Sequence, residues 1–110
     1  MNISILRGTL VADAVCTELA DGRTVHNFEL RTGESIVPVA WYDARRPPRL
    51  ASGDGLVVVG PVRRRWFRSG GGSQSRTEVV AEQVAKPGGR RGAALVAEAA
   101  ARCASAADVA

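Results

Sequence analysis

Gly53-Asp54-Gly55-Leu56-Val57-Val58-Val59-Gly60-Pro61-Val62-Arg63-Arg64-Arg65-Trp66-Phe67-Arg68 is the stretch from which the architecture of this 110-residue chain is read. Its first half, Leu56 to Val59, is apolar and β-branched and follows a Gly-Asp-Gly turn, the pattern of a buried strand. The second half holds four arginines within six residues, and such a run cannot be buried without partners. One strand therefore begins in a core and ends in solvent. Alternation puts Arg63, Arg65 and Phe67 on one face and Arg64, Trp66 and Arg68 on the other, so each face carries cations beside an aromatic ring. Guanidinium groups next to ring faces suit a polyanion that also carries flat bases. The plainer alternative is a solvated charge run with two ordinary aromatics.

Outward from this stretch, the remaining segments also read as strands. Residues 2–12 change apolar phase around Gly8, which predicts one long strand that bends or bulges there and serves two parts of a curved sheet; Asp13 to Thr17 continue it around a corner. Asp21-Gly22 marks a hairpin turn. Val25 to Thr32 alternates, with Phe28 and Leu30 as core, and Ser35 to Tyr42 forms a third strand in which Pro38 argues for an edge or a bulge. Asp43 to Ser52 is a connector whose prolines leave room for at most one helical turn on either side. Ser69 to Ser75 is Gly/Ser-rich and reads as a flexible loop tip before a fifth strand over Arg76 to Ala85. Five strands with tight turns predict an all-β, five-stranded Greek-key barrel over residues 1–86. Residues 87–110 read as a Gly/Arg linker and an Ala-rich tail, either frayed or a short docked helix along Leu95, Ala99 and Cys103.

Composition narrows the function. The formal charge is +4 and the pI near 10, which favours an anionic partner. Cys16 and Cys103 match no metal or redox spacing, and His26 has no companion ligands, so neither a cofactor nor a metal is expected. No phosphate-binding loop, nucleophile elbow or Cys/His pair proposes an enzyme. The sequence shows neither a signal-peptide pattern nor an apolar run of membrane-spanning length, and the expected location is cytoplasmic, near the nucleoid.

With the strands laid out, the chain resembles the bacterial single-stranded DNA-binding proteins (SSB) of the oligonucleotide/oligosaccharide-binding (OB) fold. The matching residues, in order, are Asn2, Leu6, Gly8, Leu10 and Asp13; Gly22, Val25, Asn27, Phe28 and Leu30; Val39-Ala40-Trp41; Gly53-Asp54, Val57, Val59 and Gly60; Arg63 to Trp66; and Thr77-Glu78-Val79-Val80. The resemblance implies a homo-oligomer, a dimer or a tetramer, that wraps single-stranded DNA during replication, recombination or repair. It implies that Trp41 and Trp66 are base platforms and that Arg65 is the adjacent cation, although Trp41 also reads as a core residue of its strand. Arg63, Arg64, Arg68, Arg31 and Arg76 follow as phosphate contacts from local charge, and Phe67 from its place among the arginines.

The chain also departs from the family. The turn at Gly33-Glu34 is short, Ser35 and Ser75 stand where aromatics are usual, and the tail ends Asp108-Val109-Ala110 without an acidic, Phe-terminated tip. The chain thus resembles a short, divergent member, and the rival expectation is a degenerate paralogue that keeps the barrel and acts as a protein-interaction or RNA-binding module.

Overall fold

The computed structural model describes residues 1–44 and 49–106; Arg45 to Pro48, in the expected connector, and residues 107–110 of the tail lie outside the described residues. Among the described residues, eight strand segments and one helix follow in order: β1 (Ser4–Leu10), β2 (Val15–Glu18), β3 (Thr24–Thr32), β4 (Ser35–Tyr42), β5 (Gly55–Gly60), β6 (Val62–Ser69), β7 (Gly72–Val80), β8 (Gln83–Ala85) and α1 (Arg90–Ala106). They form one sheet in the order β6-β7-β4-β3-β1-β5-β8, with β2 paired to β3 off that path.

This corrects the expectation of five strands closed by continuous pairing. Three of the expected strands are each broken once: the first between Leu10 and Val15, the fourth at Pro61 and the fifth at Ala81-Glu82. The hydrogen-bonded path is open and runs from β6 to β8. Its ends are joined by the chain itself, because β5 continues into β6 and β7 into β8.

The breaks have local causes. Pro61 has no N–H to give to a ladder, but its carbonyl accepts from the Val80 N–H at 2.9 Å, while the Glu82 N–H reaches the Val59 carbonyl at 2.9 Å. The chains come so close there that a Cβ on Gly60 would lie 1.8 Å from the Val80 oxygen. Only glycine permits that approach. Gly8 does the same for β1, which pairs with β5 from Ser4 to Thr9 and with β3 at Thr9 and Leu10; a Cβ on Gly8 would lie 2.1 Å from the Arg31 oxygen. The expected bend at Gly8 is thus a close backbone contact. Pro38 sits where β4 lacks its second neighbour, since β4 pairs with β7 only at Val39 and Ala40.

Alternation carries Leu10, Phe28, Leu30, Val39, Leu56, Val58 and Val79 into one core, with Val37 and Trp41 packed at its margin. β5 is buried on both faces, because Val57 and Val59 point away from that core and are also covered. The cover is α1: Leu95 and Ala99 meet Val59 and Ala85 in a second small cluster with Ile3. The tail is therefore a docked 17-residue helix that starts at Arg90, inside the stretch expected to be linker. A thin apolar stripe at i, i+4 suffices here because the strand beneath it is apolar on both sides, and tertiary packing rather than propensity holds such helices.

The loop expected to be flexible is also ordered differently. Phe67 pairs with Gln74, Arg68 with Ser73 and Ser69 with Gly72. Only Gly70 and Gly71 remain as the turn, with φ of 58° and 85°, the paired positive values that a two-residue hairpin loop of type I′ needs.

Candidate nucleic-acid interface

The register determines which side chains share a face. Val39 of β4 stands beside Val79 of β7, both in the core, so Ala40, Tyr42, Val80 and Glu78 lie on the opposite, outer face. Arg63 faces Glu78 and Arg65 faces Arg76 across the β6–β7 hairpin, which extends the outer face onto that arm. Arg64, Trp66 and Arg68 occupy the reverse face, opposite Thr77, Ser75 and Ser73. The division of β6 into two cation-and-aromatic faces is present in the structure, with the Arg64 guanidinium 5.9 Å from the Trp66 ring centre and that of Arg65 5.8 Å from Phe67.

Trp66 is 65 % exposed, far more than packing would leave a tryptophan, and stands between two cations. Phe67 is also exposed, on the other side of the arm. Trp41 is placed differently. Its neighbours by alternation are Val37 and Val39, so it lies half-buried against the core with its ring centre 6.1 Å from that of His26. By alternation Trp41 shares its side of the sheet with Val39 and Val79 and, through Val62, with Arg64 and Trp66; it is half-buried where Trp66 is exposed.

The outer-face aromatic of β4 is instead the next residue, Tyr42. Arg63 and Arg23 flank its ring, with guanidinium carbons 5.1 and 5.4 Å from the centre. Arg63 also donates to the Tyr42 hydroxyl. Arg23, in the turn before β3, donates through Nε to Asp43 at 3.0 Å. The sequence reading placed neither Tyr42 nor Arg23 among the site residues. The signal for Tyr42 was its parity: any strand that buries Val37 and Val39 must present Tyr42 outward.

Glu78 is the other residue the sequence did not single out for a role of its own. Its carboxylate is 2 % exposed; it accepts a hydrogen bond from Nη2 of Arg63 at 3.0 Å and forms an ion pair with Nε of Arg65 at 3.4 Å. Buried carboxylates persist when they are paired and hydrogen-bonded, as this one is. For Arg63, burial works against the charged form, but hydrogen bonds to Tyr42 and Glu78 outweigh it and raise its pKa; for Arg23 the hydrogen bond and charge of Asp43 raise it. A raised cation pKa adds stability below the ordinary value and loses it only as pH climbs through the raised one. Both arginines are therefore charged throughout the physiological range.

Of the remaining candidates, Arg31 lies apart from this cluster and Arg76 borders it. Arg31 is on the outer face of β3 but level with Ile36, whereas Val25 is level with Tyr42. Six residues of strand, about 20 Å, separate the two positions. Arg76 lines a cleft of about 270 Å³ with Val11, Val15, Asn27 and Glu29, at the corner where β1 turns into β2. Arg65 and Arg76 stand directly opposite each other, a like-charge pair that an added anion would relieve. Among the described residues no three His, Cys, Asp or Glu side chains gather to hold a metal ion, and no helix is long and apolar enough to cross a membrane.

No family model matches the chain, and no curated protein matches it in sequence. Among solved structures, the second single-stranded DNA-binding protein, SSBb, of Mycobacterium smegmatis matches with a TM-score of 0.65 at 22% identity, over 78% of this chain and 86% of that one. At that identity the likeness concerns the backbone alone. Together with the mostly β architecture and its one C-terminal helix, it shows the fold of this chain to be SSB-like, of the oligonucleotide/oligosaccharide-binding kind.

Proposed function

We propose that the protein binds single-stranded DNA without sequence preference, by stacking bases on exposed aromatics and pairing phosphates with arginines. The observation that carries this reading is the β6–β7 arm. It projects a 65 % exposed Trp66 between Arg64 and Arg68 on one face, and Arg63, Arg65 and Phe67 on the other. In OB folds the strand 2–3 face and the loop joining strands 4 and 5 are the usual oligonucleotide surfaces. In this chain those are the outer face of β3–β4, where Tyr42 and Arg23 lie, and the arm itself.

Stacking is tolerant of base identity because every base has a π-face, and arginine–phosphate contacts carry no sequence information. We assign the work to a homo-oligomer, dimer or tetramer, acting in the cytoplasm at the nucleoid in replication, recombination or repair. An oligomer brings several arms to one strand, which raises avidity through effective concentration where single sites are few. The chemistry is binding alone, with no reaction step.

The test is an equilibrium titration with fluorescent dT oligomers of increasing length, with duplex DNA and single-stranded RNA as competitors and mass measurement for subunit number. Tighter binding to longer dT, with weaker competition by duplex, supports the reading. Absence of binding at micromolar protein in low salt overturns it, and a preference for RNA moves the function to the RNA-binding alternative.

A further inference from the structure

A buried carboxylate in the middle of a cationic surface calls for a reason, since one negative charge under two arginines reduces the field an anion meets. Glu78 is that group, and its geometry supplies the reason. It takes one nitrogen from each partner: Nη2 of Arg63 and Nε of Arg65. A guanidinium offers five N–H donors in a rigid fork. Among the described residues the Nε contact leaves both terminal nitrogens of Arg65 without a partner, whereas in Arg63 Nη2 serves both Glu78 and the Tyr42 hydroxyl, Nε is buried without a partner, and Nη1 alone is left for a ligand.

Both side chains remain partly exposed, at 38% and 45%. Each guanidinium also lies beside an aromatic ring, Arg63 at Tyr42 and Arg65 at Phe67. Without the carboxylate, Arg63, Arg65 and the facing Arg76 would repel one another and spread over many rotamers. We infer that Glu78 is a positioning residue for single-stranded DNA: it holds Arg63 and Arg65 beside Tyr42 and Phe67, leaving Nη1 of Arg63 and the terminal nitrogens of Arg65 to a phosphate, which then meets two cations already ordered. The inference rests on the proposed binding function and assigns Glu78 a role within it.

Charge counting and positioning give opposite signs for one substitution. Glu78→Gln makes the protein one unit more positive while leaving only a neutral acceptor for the two arginines. If charge alone mattered, DNA would bind more tightly and with a steeper salt dependence. If Glu78 positions the arginines, affinity for a dT oligomer in low salt falls by about three- to tenfold, the scale on which ordering one or two long side chains is felt.

The measurement is fluorescence anisotropy on the full chain with labelled dT, for wild type, E78Q, R65A, W66A and the doubles E78Q/R65A and E78Q/W66A, with thermal melts of each. The expected result is coupling: R65A costs much less in the E78Q background than in wild type, whereas W66A costs the same in both. Arg65→Lys serves as a second variant, which leaves the Glu78 carboxylate in place and is informative even where E78Q unfolds the arm. Lysine keeps the charge but cannot hold Glu78 and present a fork together, so it should lose most of what R65A loses. Tighter binding by E78Q, additivity of E78Q with R65A, or wild-type affinity in R65K each overturns the inference. Failure of the function itself looks different: wild type then binds no dT, or W66A binds as well as wild type.

Discussion

Truncating Trp66 to alanine isolates the stacking contribution, because almost nothing else depends on that ring. Its side chain is 65 % exposed, its cross-strand neighbour is Ser75, and the arginine nearest it, Arg64, lies 5.9 Å from the ring centre. The arm is joined to the core through Val79, four rungs nearer the barrel, so folding loses little. Surface substitutions of this kind stay within about 0.5 kcal/mol. A base on an aromatic platform contributes about 1–3 kcal/mol. At 1.4 kcal/mol per factor of ten, Trp66→Ala should weaken binding of a dT oligomer about five- to 150-fold at fixed salt. The assay is anisotropy of labelled dT, paired with a urea melt, so that stability and affinity are read on one sample. Trp41, half-buried beside the core, remains as an internal fluorophore that reports the fold. A loss of less than twofold with an unchanged melt would refute the platform role, and an equal loss toward duplex DNA would show that only charge and shape had changed.

Further outcomes follow from the same geometry. If about four arginines per subunit meet phosphates, the slope of log affinity against log salt should be near −3 per subunit, from about −0.7 per phosphate; affinity that does not change below 200 mM salt would exclude this. Gly60→Ala places a methyl 1.8 Å from the Val80 oxygen, so the crossing of β5–β6 over β7–β8 must open. Overpacking of this kind costs about 1–3 kcal/mol or more, and a urea midpoint within error of wild type would contradict the contact. Leu95→Ala removes the largest side chain that α1 buries on Val59 and Ala85, for an expected loss of about 2–5 kcal/mol, read as early melting of helical circular dichroism. Unchanged helical signal would mean that α1 does not depend on docking.

Much of the fold was legible because two periodicities agree in it. β4 spans the same eight residues that alternation assigned, Ser35–Tyr42. The glycine at position 8 marked the bend of β1 from its lack of a side chain alone, although the cause, contact with the Arg31 backbone, needed the third dimension. The break at Pro61 was hidden by the apolar run before it and the basic run after it, which read as one strand. For the tail the sequence offered a frayed segment or a docked helix and could not choose, because the stability of α1 lies in the second apolar face of β5 and not in its own composition. At the candidate site the sequence identified the arm and its two faces. It named Trp41 from the family resemblance and gave Tyr42 and Glu78 no site role, because the pairing of Glu78 with Arg63 and Arg65 and its 2 % exposure depend on the β6–β7 register.

The β6–β7 arm has one more consequence, for the time course of fluctuation. From Arg64 to Ser69 and from Gly72 to Thr77 both strands are exposed, while the strands of the barrel are tied to buried valines and leucines. Two-stranded ribbons are marginally stable alone, so this one can fray from Gly70-Gly71 downward as far as Glu78 without disturbing the core. Amide hydrogen exchange should therefore separate into two classes: slow amides in β1, β3 and β5 that open only with global unfolding, and fast amides in the arm that open locally. A bound strand that bridges both sides of the arm would move its amides toward the slow class, which makes their protection a residue-by-residue record of where the ligand lies.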